Sequence, residues 1–381
     1  MGKLGLYLHV PFCVRKCHYC DFYSAPADKR ARTSYVRALS SHLAAVGGGQ
    51  TVDTVYFGGG TPTLLEPEEL QSILNTVRNA YRVESDAEIT VECNPVTNAK
   101  GMMEGLRRAG FNRISIGLQS ANDAELRVLG RPHDHQGFLE TFTAAREAGF
   151  DNISVDLMFG IPDQTVDSFS ETIDRVLALS PEHISAYGLR IEPGTAFDRM
   201  KSDLALPSED AEAEMAELVA SKLVAAGYEH YEISNYAKAG KRSRHNMRYW
   251  LGEDYLGFGP GAHSYADGVR FFTASDTAAY LLAVERGDLS ALRQGEQRIC
   301  GKELQDEYVM LRMRLFDGID LADFSHRFGT SFENAYGSTD RFAAAGFLQK
   351  YDGRIAFTEK GMRVSNAILS DWLDFGEEGE A

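Results

Sequence analysis

Tyr7-Leu-His-Val-Pro-Phe-Cys13-Val-Arg-Lys-Cys17-His-Tyr-Cys20-Asp-Phe22 is the stretch from which the rest of the chain is interpreted. A strand-like apolar run, Leu4–Val10, stops at Pro11, and three cysteines follow at C-x3-C-x2-C spacing on one tight loop. Three thiolates so placed suit three irons of a cubane [4Fe–4S] cluster and leave the fourth iron without a protein ligand. Structural zinc is the competing reading. It asks for four protein ligands, and His18, between the last two cysteines, is awkwardly spaced to complete them. Cys93 and Cys300 lie in strand-like and linker contexts and read as incidental thiols. Five cysteines, three of them within eight residues, argue for metal binding over a disulfide framework.

Beyond this loop, short apolar runs alternate with helical patterns. Strands are expected at Leu4–Val10, Val52–Phe57, Glu88–Cys93, Arg113–Leu118, Ile153–Met158 and His183–Gly188. Helices are expected at Ser34–Val46, Pro67–Tyr81, Ala99–Ala109, His135–Ala148 and Ser168–Leu179. Right-handed crossovers make such a series a parallel sheet with helices outside. Six units are too few for a closed eight-stranded barrel, so the fold class is α/β, a curved, partial (βα)6 barrel with its site at the C-terminal strand ends. An open doubly wound sheet is the alternative.

The expected organisation is a barrel over 1–235, a segment and linker over 236–300, a C-terminal module over 301–375 and a disordered acidic tail over 376–381. The module pairs helices at Glu303–Leu315, Leu321–Phe328 and Asp340–Ala345 with a hairpin around Asp352-Gly353, a winged-helix-like pattern. Its charge does not favour DNA, so packing or partner binding is expected of it.

The chain has 381 residues and a net charge of −16, which disfavours nucleic acid and anionic lipid as partners. There is no apolar run of roughly 18 residues and no signal-peptide pattern, so a cytoplasmic protein is expected, meeting membranes only through other proteins.

The spacing C-x3-C-x2-C after the first strand of a repeated βα unit resembles the radical S-adenosylmethionine superfamily. The phrase Tyr7-Leu-His-Val-Pro-Phe-Cys13 is similar to the oxygen-independent coproporphyrinogen III oxidase group and its relatives, the HemW heme chaperones. The likeness implies that the open iron is chelated by the amino and carboxylate groups of S-adenosylmethionine. It places Tyr19 near the adenine, Tyr7 among the cofactor contacts, and Gly59, Gly60 and Thr61 of Gly58-Gly-Gly-Thr-Pro-Thr63 at the methionyl amino group. Without a following Gly-Lys-Ser/Thr, that triplet is no phosphate loop. Glu92, Gln119, Arg131 and Asp156 fall at or after successive strand ends and match the same pattern. Glu92 would balance the ammonium, Arg131 grip the carboxylate with both arms of its fork, and Gln119 and Asp156 bond the ribose hydroxyls. A structural network within the barrel is the alternative for each. Arg190 and His263 match weaker contacts, to a second cofactor molecule or a tetrapyrrole.

Two departures from the oxidase pattern decide between the resembled groups. The oxidases carry a further cysteine two places after the third, where this chain has Phe22, and a long N-terminal extension, where twelve residues precede Cys13. In addition, Arg244-His-Asn-Met-Arg-Tyr-Trp250 matches the H-N-x-x-Y-W signature of the heme chaperones. His245 would coordinate heme iron, Tyr249 and Trp250 would stack on the porphyrin, Asn246 completes the motif, and Arg244 and Arg248 would pair with propionates. A core histidine beside aromatics is the plainer reading of the same residues. The expectation is therefore a heme chaperone delivering heme to acceptor proteins, with coproporphyrinogen oxidation as the alternative and a scaffold keeping a relic cluster as a remote third. A homodimer is conceivable, because one iron lacks a protein ligand.

Overall fold

Strand alternation sorts the chain into an apolar outside and a polar inside. The computed structural model describes residues 2–95 and 98–373. It opens with β1 (Leu4–Val10), α1 (Lys29–Val46), β2 (Thr51–Gly59), α2 (Pro67–Ala80), β3 (Arg82–Cys93), α3 (Ala99–Ala109) and β4 (Arg113–Gln119). Then come α4 (Asp123–Val128), α5 (His135–Glu147), β5 (Ile153–Phe159), α6 (Val166–Leu179) and β6 (His183–Gly188). These six strands pair in parallel in chain order. Leu6, Leu8, Val55, Phe57, Val91, Ile116, Val155 and Ile184 point outward and are buried beneath the helices. Their neighbours Tyr7, His9, Tyr56, Glu92, Ser115, Asp156 and His183 share the inner face, as period-two geometry requires.

The sheet is larger than six strands. After α7 (Ala196–Arg199) and α8 (Glu209–Ala225), β7 (Glu229–Glu232) and β8 (Asn235–Ala237) extend it antiparallel beyond β6. The chain then passes through α9 (Arg244–Leu251) and lays β9 (Tyr255–Phe258) parallel to β1, a seventh parallel strand. The strands β10 (His263–Ala266), β11 (Val269–Phe272) and, after α10 (Thr277–Arg286), β12 (Gln294–Arg298) complete that edge. The order is β12-β11-β10-β9-β1-β2-β3-β4-β5-β6-β8-β7, so the two ends do not meet and the barrel stays open. Residues 236–300 thus include four strands, β9 to β12, that continue the barrel sheet. Strands of three to five residues give little periodicity, which is why sequence patterning passed over them.

Helix α9, which carries the His-Asn-x-x-Tyr-Trp segment, closes the bottom of the barrel, at the N-terminal strand ends. The Glu88 carboxylate accepts from the backbone N–H groups of Arg244 (3.1 Å) and His245 (3.0 Å), placing negative charge at the helix N-terminus. Arg248, buried, forms an ion pair with Asp53 and donates to the carbonyls of Lys3 (3.0 Å) and Asp254 (3.2 Å). A propionate therefore does not find Arg248 free.

The C-terminal module comprises α11 (Gly301–Arg312), β13 (Ile319–Asp320), α12 (Leu321–Phe328), α13 (Phe332–Tyr336), α14 (Asp340–Ala344), β14 (Leu348–Tyr351), β15 (Arg354–Phe357), α15 (Glu359–Arg363) and α16 (Ser365–Trp372). Its antiparallel sheet runs β13-β15-β14. It has a core of its own around Phe324, Phe332, Phe357 and Trp372. The expected acidic tail lies outside the described residues.

Arg248→Ala leaves the largely covered Asp53 carboxylate with only the longer Arg244 contact (3.8 Å) and should destabilise the protein by about 2–4 kcal/mol. The check is a shift of the urea midpoint, with Arg248→Ala and Asp53→Asn less damaging together than their single effects add up to.

Candidate cofactor site

Pro11 ends β1, and the loop that follows is tied down at both ends. The Cys13 N–H donates to Ala25 O (3.2 Å), Cys20 N–H to Cys17 O (3.3 Å) and His18 N–H to Leu129 O (3.0 Å). All three thiols remain half-buried and unbridged. His18 is used elsewhere: its Nδ1 lies 2.8 Å from Val128 O and its ring packs on Phe197. Among the described residues no three His, Cys, Asp or Glu side chains converge on one ion, as mononuclear zinc would demand. A cubane instead spreads its thiolates over three separate irons, and this donor set fits it.

The glycine segment wedges between β1 and the cysteine loop. A Cβ on Gly60 would lie 2.5 Å from Phe12 O, and one on Gly59 would lie 2.6 Å from the His9 ring, at a φ of +106°. The backbone donors here are all taken: Gly59 N–H by Glu92 (3.2 Å), Gly60 N–H by Val10 O (2.9 Å) and Thr61 N–H by Phe12 O (2.7 Å). A ligand therefore meets acceptors at this turn, which suits an ammonium group. The Thr61 hydroxyl accepts from Asn94 Nδ2 (2.8 Å) and lies 3.6 Å from Cys13 Sγ, so Thr61 braces the loop.

Glu92 faces the hollow of the barrel, accepting from the Tyr56 hydroxyl at 2.7 Å. Burial pushes its carboxyl up to about 7, against the pull of the Tyr56 hydrogen bond. Asp156 is raised for the same reason, its oxygens held by Ser115 (3.0 Å) and Ser185. Gln119 accepts from the Tyr187 hydroxyl (2.8 Å) and has a left-handed backbone, φ +70°, where the β4–β5 register shifts. Such a conformation in a buried non-glycine residue at a strand end is typical of functional positions.

Arg131 differs from expectation. Its Nη2 is committed to Asn94 Oδ1 and to Gly117 O (2.7 Å), while Nη1 lies 3.7 Å from Cys17 Sγ. The two-armed grip through both Nη groups is thus closed. What stays open is the buried Nε, which has no partner among the described residues. Tyr19 packs against Leu129, Met158, Ile161 and Phe197, an apolar patch beside Arg131 that suits a flat base. Tyr7 sits deeper, its hydroxyl 3.1 Å from His9 Nδ1. Arg190 is exposed on the loop after β6, and His263 is exposed at the start of β10 with its ring stacked on Phe272.

His245, expected as a heme ligand, lies buried at the base of the barrel. His245 is 1% exposed, its Nδ1 lies 2.9 Å from Thr54 Oγ1, its Nε2 lies 2.9 Å from the Tyr249 hydroxyl, and its ring stacks on Tyr56. Both ring nitrogens have hydroxyl partners in this conformation. Tyr249 is packed edge-on against Tyr255, and Asn246 and Trp250 are half-buried on the same helix.

Sequence reasoning missed His9 and Asn94. His9 joins Tyr7 to Tyr23 O (2.9 Å), and Asn94 links Thr61 to Arg131. His9 stands in the quoted loop stretch, and both fall on the inward-facing register of Tyr7 and Glu92, which was the available signal.

Two outcomes follow from this geometry. Cys17→Ser should lose most of its iron and acid-labile sulfide, measured after anaerobic reconstitution. The amino group donates its N–H bonds most strongly to ionised Glu92, whose carboxyl burial raises to about 7. Cofactor affinity should therefore rise about tenfold from pH 6 to pH 8 by calorimetry and lose this dependence in Glu92→Gln.

Compared with known proteins, residues 7–176 match the radical SAM superfamily and residues 301–364 match the HemN C-terminal domain. The chain is 36% identical to the heme chaperone HemW of Bacillus subtilis, covering 96% of this chain and 98% of that one. It is 35% identical to the heme chaperone HemW of Escherichia coli, covering 98% and 99%. The structure of Escherichia coli coproporphyrinogen III oxidase (HemN), a radical SAM enzyme, aligns with a TM-score of 0.85 over 97% of this chain and 90% of that one, at 23% identity, a likeness of fold. With the cysteine loop, the open barrel and the C-terminal module all inside an end-to-end match, the chain belongs to the HemW heme chaperone family of the radical SAM superfamily.

Proposed function

We propose that this protein binds heme and hands it to acceptor proteins in the cytoplasm, with a [4Fe–4S] cluster and S-adenosylmethionine assisting or regulating the transfer. The observation that carries this reading is the match, across 96% of the chain, to curated heme chaperones. Cys13, Cys17 and Cys20 would hold the cluster. The turn at Gly59 and Gly60, with Glu92, would receive the cofactor's amino group. The free Nε of Arg131 would face its carboxylate, Gln119 and Asp156 its ribose, and Tyr19 its adenine, with Tyr7 beneath. Arg190 and His263, both exposed, suit a second ligand at the mouth. When bound, the cluster would supply one-electron chemistry and an open iron. No helix among the described residues is long and apolar enough to cross a membrane.

Coproporphyrinogen oxidation is the second reading, favoured by the shared fold. Against it stands Phe22, 62% exposed beside the loop, where the oxidase pattern carries a further cysteine.

Hemin titrated into the reconstituted protein should give a Soret band, and mixing with an apo heme protein should move that band to the acceptor. Under reducing anaerobic conditions with S-adenosylmethionine, coproporphyrinogen III should remain unconverted. Steady formation of protoporphyrinogen would replace the chaperone reading with the oxidase one.

A further inference from the structure

Between the second and third cysteines of the loop, His18 ties three segments of the chain together. Its backbone N–H donates to Leu129 O (3.0 Å), and its carbonyl accepts from the Phe197 N–H of α7 (2.9 Å). Its ring Nδ1 lies 2.8 Å from Val128 O, at the end of α4. A carbonyl only accepts, so Nδ1 carries the proton of that bond. The ring rests on Phe197, with centroids 5.8 Å apart. Gly130 closes over it: a Cβ there would come within 2.9 Å of the imidazole, at a φ of +72°. Only glycine suits both the turn and the close approach.

These bonds fix the strip from Val128 to Arg131 against the cysteines. The Arg131 N–H turns back to Leu126 O (2.9 Å), so Arg131 follows wherever Leu129 and Gly130 are held. Arg15, on the other side of Cys17, adds a second clamp, its Nη2 donating to Arg131 O (2.6 Å). Held from both sides, Arg131 brings Nη1 to 3.7 Å from Cys17 Sγ. Arg15 is exposed and His18 half-buried. A bond open to water contributes less, because water replaces it on opening, so the greater share of the clamp falls to His18.

We infer that His18 is a positioning residue for the cluster: by pinning Val128 and Leu129 it holds the Arg131 guanidinium against the Cys17 sulfur, and so sets the cluster's reduction potential and its response to S-adenosylmethionine. The inference rests on the reading of Cys13, Cys17 and Cys20 as the cluster loop. Hydrogen bonds to the thiolate sulfurs of an iron–sulfur cluster tune its potential, and a donor raises it by stabilising the more electron-rich reduced state. Arg131 Nη2 is anchored to Asn94 and Gly117 O, so a shift of the strip is felt first at the longer Nη1 contact with Cys17. The same guanidinium offers Nε to the cofactor's carboxylate, so one histidine acts on both.

The test is a redox titration of the full-length, anaerobically reconstituted protein, followed by electron paramagnetic resonance with and without S-adenosylmethionine. His18→Phe keeps a ring on Phe197 but has no donor for Val128 O. His18→Asn keeps a donor there and loses the ring. His18→Phe should retain its cluster, move the midpoint potential to a more negative value and bind S-adenosylmethionine about tenfold more weakly. His18→Asn should stay close to the unsubstituted protein in both respects. A merely structural histidine would lower the melting temperature in both variants and leave the potential where it was. An unchanged midpoint in His18→Phe, or equal shifts in the two variants, overturns the inference. In the unsubstituted protein, loading the cluster should slow amide exchange at residues 129–131 and at Phe197, and exchange there that ignores the cluster overturns it as well. Because that measurement needs no substitution, a variant that takes up no cluster does not leave the question open. Failure of the unsubstituted protein to take up iron and sulfide removes the cluster reading itself.

Discussion

A polar inner face removed from bulk water is the constraint on which the rest of this structure depends. Each inward side chain of the barrel must find a partner or remain at a cost of a few kcal/mol. Most find one across neighbouring strands: Ser115 with Asp156, Ser154 with His183, Tyr56 with Glu92. At the bottom, Glu88 is satisfied by the N-terminus of α9, which is why that helix sits where it does. Near the middle, Arg113 is 1% exposed, with Nε and Nη1 lacking partners among the described residues, and its positive charge favours ionisation of Glu92 and Asp156.

The top of the barrel satisfies the same constraint differently. Glu92 and Asp156 are held above their ordinary range by burial, and Arg131 Nε has no partner among the described residues, so the network is incomplete on one side. A cationic amino group, a carboxylate and ribose hydroxyls together would complete it. Donors and acceptors fixed before the ligand arrives reduce the ordering that binding requires. Arg131 also touches Cys17 and Asn94, so filling the cofactor site and holding the cysteine loop share one guanidinium.

The histidines show how burial alone misleads. His245 stands in the segment that resembles the heme-chaperone signature, yet its two nitrogens serve Thr54 and Tyr249 within the base of the barrel. His42 stands in α1, in the run Leu39-Ser-Ser-His42-Leu43, and nothing in its sequence neighbours marks it as a buried partner of Tyr280. What an imidazole meets depends on the element packed against it, and α10, which brings Tyr280 to His42 Nδ1, lies more than two hundred residues away in the chain.

What the sequence by itself determined is local and periodic. The alternation of strands with helices, the C-x3-C-x2-C loop after β1, and the polar residues at strand ends are legible because they repeat at fixed spacings or lie within a few residues of one another. β1, α3, β6 and α12 fall on the expected residues for that reason. Only the tertiary structure decided the rest. The pairing of β9 with β1, the closure of the barrel base by α9, the commitment of Arg131 Nη2 and the meeting of His42 with Tyr280 all depend on contacts between distant segments. Such contacts leave no period in the chain, because each is fixed by one packed geometry.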